Sequence, residues 1–427
     1  MVRRVKKKLP WIAHLIDEGS GLTPVVTDRG QRCVACKGAK MLCGKRSCPL
    51  LLRLNTYLKM PALGRDVDGS SPPGIFVGRL GYPYVYVGPL VPPIHADTSL
   101  YDEPERWFGL GMEEIAGFRM MLVRGKQRVN VKKAAGPIVD AVQEMVLSTK
   151  PVDVEMRLSK KPTGHLVLDD GVQPVGPSAP LLGMELTPGP ADQRIERAYN
   201  DTDLVASEAV FNLYQRRVAI TKIQRALSGG MFGLAARRRL VPTRWSITAV
   251  DSIVAKRLMR GVREAPFINE CRVYESSNLD NRFEILMVPD TWSYESMEAW
   301  YPGTIWNPRG RETWMLSDVE GYGGRKQYAS MGGCYYAARL AVCEHLTSER
   351  RQARVVVLRE AHPGYVMPMG VWNVRESVRN ALQREPLRFD TLGEALSRIW
   401  SRLDIPKDVW VKNSQLLADT THQQTVI

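Results

Sequence analysis

Apolar positions along this chain switch between a period of two and one near 3.6, and that switching sorts the sequence into strands and helices. After the breaker Gly69-Ser70-Ser71-Pro72-Pro73-Gly74, the stretch Ile75 to Leu90 carries short β-branched and aromatic runs between Gly and Pro. Such runs predict strands joined by tight turns. A polar, Pro/Gly-rich stretch over 169–191 predicts a surface loop or a linker. From Asp203 to Gly230 the period becomes helical: Leu213, Ile220, Ile223 and Leu227 share one stripe, and Gly229-Gly230 supplies the stop. A further helix is expected from near Thr248, where Thr248-Ala249-Val250-Asp251 has capping-box spacing. Val250, Val254 and Leu258 would form its apolar face, and Gly261 would end it.

Residues 283–320 read as strand and are rich in tryptophan. The final third reads as helix over 333–346, strand from Ala353 to Arg359, and helix over 374–384. A last helix runs from Thr391 to Leu403, with Thr391 and Glu394 as a capping box. Ser414 to Ile427 is polar and reads as a mobile tail, and no internal repeat is visible.

This order predicts a mixed α/β, multidomain chain with an N-terminal four-cysteine zinc-binding module. The expected divisions are a basic arm and metal module over 1–60, a core over 61–310 with an arginine-rich helical segment at 203–263, an α/β domain over 311–410, and a tail over 411–427. A length of 427 residues agrees with about three domains. With 44% hydrophobic and 24% charged residues, the composition is that of a globular chain and excludes a largely disordered one. No run reaches the ~18 apolar residues of a membrane span, and the N-terminus has no signal-peptide pattern. A cytoplasmic protein is expected.

Cys33, Cys36, Cys43 and Cys48 give C-x2-C-x6-C-x4-C, four of the seven cysteines. A C-x2-C knuckle aims two thiolates at one ion, and Gly38 and Gly44 supply turn freedom. Four thiolates on zinc leave a formal charge of −2, which Lys37, Lys40, Lys45 and Arg46 lie close enough in sequence to offset. Such a closed tetrahedral set is structural, not catalytic. Zinc is the preferred occupant; an iron–sulfur cluster is the alternative, because Cys48-Pro49 matches a ferredoxin-type ending. Cys271, Cys334 and Cys343 read as packed thiols.

Charge changes the picture next. Lys+Arg is 59 against 45 Asp+Glu, a net +14, which favours a polyanionic partner. Much of the excess is local: Arg216, Arg217, Lys222, Arg225, Arg237, Arg238, Arg239, Arg244, Lys256, Arg257, Arg260 and Arg263 stand against Asp251 alone over 215–263. The planar guanidinium fork suits phosphate oxygens, so this segment is a candidate DNA or nucleotide contact; solvated helix faces are the plainer reading. The glycine-rich Gly321 to Tyr328, with Arg325 and Lys326, precedes a helix and is a candidate anion site, or a tight turn. His362 and Glu360 follow the best strand, where α/β sites often lie, and with Asp251 are candidate proton-transfer groups. His95 with Asp97 is a second such pair.

Several stretches together resemble the archaeal Nre family of DNA-repair proteins. They are the cysteine cluster, Ser71-Pro72-Pro73 through Phe76-Val77-Gly78-Arg79 and Gly81-Tyr82-Pro83, Val87-Gly88-Pro89, Leu240 through Asp251, the segment 321–328, and Pro363-Gly364-Tyr365 through Gly370-Val371-Trp372. The resemblance implies a role in DNA-damage repair, an N-terminal four-cysteine metal-binding domain, and docking on the sliding clamp PCNA through a C-terminal motif. In that motif a glutamine precedes an aliphatic residue and then aromatics. Here Gln423 with Val426, or Gln424 with Ile427, keeps the glutamine-to-aliphatic spacing, and the aromatic pair is absent. The expectation is a DNA-binding repair factor with a shortened clamp motif. The alternative is a phosphate-ester hydrolase acting on nucleotides or DNA ends.

Overall fold

The computed structural model describes residues 22–26, 35–36, 40, 42, 48, 50–52, 60–168, 174–304, 306–307 and 310–423. Two units are distinguished: an N-terminal one reaching to Val250 together with Met367–Met369, and a C-terminal one from Asp251 without that triplet.

In the N-terminal unit the strands are β1 (Leu22–Val26), β2 (Asp66–Ser71), β3 (Ile75–Val77), β4 (Tyr84–Val91), β5 (Val123–Asn130), β6 (Val152–Leu158), β7 (Gly164–Leu168) and β8 (Ser178–Leu186). Six form one sheet in the order β2-β6-β8-β5-β4-β3, while β1 and β7 make a separate parallel pair. Within the larger sheet only β5 and β8 run parallel. Strict alternation decides which side is the core. Val152, Val154, Met156 and Leu158 of β6 are buried while Asp153, Glu155 and Arg157 are exposed.

The helices of this unit are α1 (Met112–Met121), α2 (Pro137–Leu147), α3 (Gln193–Asn200), α4 (Ala206–Gln215) and α5 (Ile220–Ser228). α2 and α5 pack against one another; α2 also meets β3, β4 and β8, and α5 meets β3. α2 buries Ile138, Val139, Val142, Met145 and Val146; each such side chain is worth roughly 1.5–3 kcal/mol when taken fully from water. Gly88 is required where β4 runs beside β5: a Cβ there would lie 1.8 Å from the Gly125 carbonyl oxygen.

Three expectations change. The stretch 169–191 is not simply a loop, because β8 lies inside it; Ala179 and Leu181 point inward and are buried. The helical stripe of 203–230 is split in two, because Arg217 adopts a left-handed φ of 59° between α4 and α5. The helix expected near Thr248 begins at Thr243 and continues through Gly261 to Glu264 (α6). Pro242 sets that start: it cannot continue a helix backward, and its carbonyl accepts from the N–H groups of Trp245 and Ser246.

In the C-terminal unit the strands are β9 (Cys271–Asn278), β10 (Asn281–Val288), β11 (Ser293–Trp300), β12 (Trp314–Glu320), β13 (Arg354–Ala361) and β14 (Leu387–Phe389). They form one sheet in the order β12-β11-β13-β10-β9-β14, with β11 parallel to β13 and the other neighbours antiparallel. The helices are α7 (Gly333–Glu349), α8 (Trp372–Leu382), α9 (Leu392–Arg402), α10 (Lys407–Asn413) and α11 (Gln415–Gln423). α7 and α8 cover one face of the sheet. α9, α10 and α11 cover the other, where Leu396, Ile399, Trp410, Leu416 and Leu417 join Val273, Leu286, Met297 and Val356 in one core. Central strands covered on both faces are buried continuously, as in β11, where all eight residues are inside.

The capping box at the start of α9 forms as expected, with the Thr391 hydroxyl accepting from the Glu394 N–H and the Glu394 carboxylate accepting from the Thr391 N–H. The mobile tail expected from Ser414 is different. Leu416 and Leu417 are buried, and the Glu295 carboxylate accepts from the N–H groups of Gln415 (3.1 Å) and Leu416 (2.8 Å) and from the Ser414 hydroxyl (2.7 Å). A buried carboxylate at a helix N-terminus satisfies its orphan donors and complements its dipole, which anchors α11. Among the described residues, no helix is long and apolar enough to cross a membrane.

Candidate functional site

The arginine-rich segment separates into bases that hold the fold and bases that face water. In the N-terminal unit the Arg225 Nε lies 2.9 Å from Asp102, and the Lys222 Nζ lies 3.2 Å from Asp192. The hydrogen bond from Arg194, with Lys222 beside it, holds the Asp192 carboxyl well below the usual carboxylate range. Arg238 donates to the carbonyls of Gly233 and Asp201 and lies over the Tyr199 ring. These three bases are spent on structure. Arg216, Arg217, Arg237, Arg239 and Arg244 are exposed, and among the described residues none of them has an ion-pair partner. Lys256 and Arg260 are exposed on the part of α6 that belongs to the C-terminal unit.

The glycine-rich loop leads into α7 as expected, and one of its two candidate cations, Arg325, is already paired within the chain. Asp318, on β12, accepts from the Met331 N–H (2.7 Å) and the Ser330 hydroxyl (2.8 Å) and pairs with Arg325 at 2.8 Å. Arg325 also donates to the Val319 carbonyl and lies over the Tyr335 ring. Lys326 is exposed. Asp251 is fully buried and bonded to Arg375 at 3.0 and 3.3 Å, so it is closed to any substrate.

Glu360 and His362 do come together at the end of β13. The His362 Nε2 lies 3.1 Å from Glu360, its Nδ1 lies 3.9 Å from Asp404, and its ring stacks on Tyr301 at 4.6 Å. Burial, with Glu360 and Asp404 nearby, pushes the Tyr301 hydroxyl above its ordinary range. Ligand atoms of Glu360, His362 and Asp404 lie within 4.8 Å of one another, close enough to share a cation. Each also has a partner in the fold. Glu360 accepts from the N–H groups of Asp404 (3.2 Å) and Ile405 (2.8 Å), fixing the turn after α9. The Arg282 guanidinium sits 2.7 Å from Asp404 and 3.9 Å from Glu360, so positive charge is already supplied.

Of the remaining candidates, His95 pairs with Asp68 (2.9 Å) and Asp153 (3.3 Å) rather than with Asp97, which bonds Ser99 instead. The hydrogen bonds that His95 donates to the Asp68 and Asp153 carboxylates raise its pKa. Cys36 is buried and Cys48 half-buried; Cys33 and Cys43 lie outside the described residues. So do Gln424, Val426 and Ile427, while Gln423 ends α11. Burial pushes the Cys271 and Cys343 thiols upward, the direction of inert packed cysteines.

One surface was missed in the sequence. Tyr84 and Tyr86 stand half exposed on β4, beside Arg124, Lys126 and Arg128 on β5. Its signal was present as the alternation Tyr84-Val85-Tyr86-Val87, with both valines fully buried.

The archaeal Nre N-terminal family model matches residues 42–307, and the archaeal Nre C-terminal model matches residues 320–427. A protein named DNA repair protein NreB from Archaeoglobus fulgidus is 42% identical over 386 residues, covering 90% of this chain and 96% of its own. DNA repair protein NreA from the same organism is 37% identical over 376 residues, covering 87% and 94%. A Haloferax volcanii protein, also named NreA, is 33% identical over 380 residues, covering 86% and 90%. No solved structure matches the chain. Two family models that together take in most of the sequence, and relatives aligned over nearly their whole length, agree: the chain belongs to the archaeal Nre family.

Proposed function

We propose that this protein acts in DNA repair and binds DNA through the exposed arginines of its N-terminal unit. The repair role follows the names of its relatives. The observation that carries DNA contact is the set Arg216, Arg217, Arg237, Arg239 and Arg244, all exposed, with no ion-pair partner among the described residues. Guanidinium groups held this way gain most from phosphate oxygens. Affinity for duplex DNA is expected to fall steeply with salt, and each base removed should flatten the slope of log affinity against log salt by about one. Comparing the protein with Arg237→Ala/Arg239→Ala by fluorescence anisotropy at several salt concentrations tests this. Absence of binding to any DNA at low salt would reject it.

Two further assignments belong to this reading. The spacing of Cys33, Cys36, Cys43 and Cys48 supports one structural zinc, whose tetrathiolate site would order the N-terminal module without touching substrate. Gln423 and Gln424 with Val426 and Ile427 support weak docking on the PCNA clamp, the aliphatic residue entering an apolar pocket. One set of variants separates them. Truncation after His422 should abolish retention by the clamp and keep one zinc per chain; Cys36→Ser should lose the zinc and keep the retention. Retention that survives the truncation would remove the clamp assignment. A chain without zinc before mutation would remove the metal.

The hydrolase alternative draws on Glu360, His362 and Asp251, and Asp404 lies beside the first two. Because each of these is engaged by the fold itself, the geometry favours the binding role.

A further inference from the structure

The outward face of β4 and β5 joins exposed rings to bases in a regular pattern. Tyr84 and Tyr86 are 51% and 48% exposed, and successive outward residues on a strand stand about 6.7 Å apart. On the neighbouring strand Arg128 lies opposite Tyr86 in register and over the Tyr84 ring, 5.6 Å from its centroid. Lys126 lies 5.7 Å over Tyr86, and Arg124 lies 5.8 Å over Phe76 on β3. The row continues past the strand end, where Tyr82 and Trp245 approach at 5.4 Å, each 47% exposed, next to exposed Arg79 and Arg244.

Charge is segregated across this sheet. The outward positions of β4 and β5 hold no acid, and Lys126 is pushed below its ordinary pKa first by burial and then by Arg124 and Lys160. The opposite end holds exposed Asp66 and Asp68 on β2 and Asp153 and Glu155 on β6, four acids against the single base Arg157 on those two strands. A polyanion would therefore lie along β4 and β5 and be turned away from β2 and β6. Half-exposed rings at strand spacing offer flat surfaces for bases, and the bases of a duplex are not free to stack on them.

We propose that the β4–β5 face is a stacking platform for single-stranded nucleic acid, with Tyr84 and Tyr86 receiving successive bases and Lys126 and Arg128 holding the backbone. Tyr82 and Trp245 extend the track. This rests on the reading of the protein as DNA-binding and adds the strand state it recognises.

The test uses the full chain, a labelled 20-nucleotide oligothymidine and a duplex of the same length, read by anisotropy. Tyr84→Ala/Tyr86→Ala should weaken oligothymidine binding by about 10-fold or more and leave the duplex within about twofold. Tyr84→Phe/Tyr86→Phe, which keeps the rings, should bind oligothymidine as the parent does. An alanine double variant that is still folded by circular dichroism and binds oligothymidine like the parent would overturn the platform. So would a parent that binds duplex but not oligothymidine, and in that case DNA binding through the arginines survives. A parent that binds neither removes both readings. If the parent sediments as a dimer and the alanine double variant as a monomer, the face belongs to a second copy and the proposal fails.

Discussion

Glu298→Gln is expected to destabilise the protein by about 3–5 kcal/mol, the cost of leaving one charge of a buried pair without its partner. Arg359, on β13, is 3% exposed and its Nη1 lies 2.6 Å from the Glu298 carboxylate on β11. Asn281 takes the rest of the fork, its Oδ1 accepting from the Arg359 Nε at 3.0 Å and Nη2 at 2.8 Å. The guanidinium is also enclosed by the rings of Trp300, Tyr365 and Phe283. Glutamine keeps the shape of the site and removes the charge, so the loss reports electrostatics rather than a cavity. Replacing both partners, as Glu298→Met/Arg359→Met, should recover part of the loss, because an apolar pair leaves no buried charge behind. Equilibrium urea unfolding checks both variants. A shift of under about 1 kcal/mol in Glu298→Gln would mean that Asn281 and the rings suffice to hold Arg359.

Most elements of this fold were legible because local chemistry and global packing agree in them. Thr391 and Glu394 mark a helix start by their side chains alone, and the helix begins there. β13 announced itself as Val355-Val356-Val357-Leu358, a run apolar enough for a strand covered on both faces. Elements whose reason lies elsewhere in the chain were not legible. β8 looked like a loop because Pro180 and Gly183 interrupt it, yet pairing on both sides by β6 and β5 holds it as a strand. α11 looked like a tail because Thr420, Thr421, His422 and Gln423 are polar, while its anchor, Glu295, is more than a hundred residues away.

The candidate site divides in the same way. A count of bases over 215–263 located a cationic segment but could not tell which bases were free. Arg225 is consumed by Asp102, far upstream, and Arg325 by Asp318, seven residues before it. Single-sequence reading sees charges and not their partners. The aromatic runs over 75–90 marked strands without saying which rings face water, which left Tyr84 and Tyr86 unassigned: their exposure depends on which face of the sheet the helices cover.

The pH dependence of stability is expected to carry a signature of Glu284. Burial first, and Glu275 opposite it on β9, push the Glu284 carboxyl up to about 7, against the pull of Arg402 at 2.9 Å. The geometry explains why the cation does not win. Arg402 is shared, lying 3.2 Å from Glu275 as well, and one Glu284 oxygen is buried with no hydrogen-bond partner. A carboxyl raised in the folded state favours folding while it is protonated. Its contribution is therefore full below about pH 4.5 and is lost as pH rises through 7, by about 3 kcal/mol in all. Glu284→Gln, which mimics the protonated form, should match the parent near pH 4.5 and exceed it by about 3 kcal/mol at pH 8. Urea midpoints taken across that range decide the point. Should the variant be the less stable protein at pH 8, Glu284 is ionised there and its bond to Arg402 outweighs its burial.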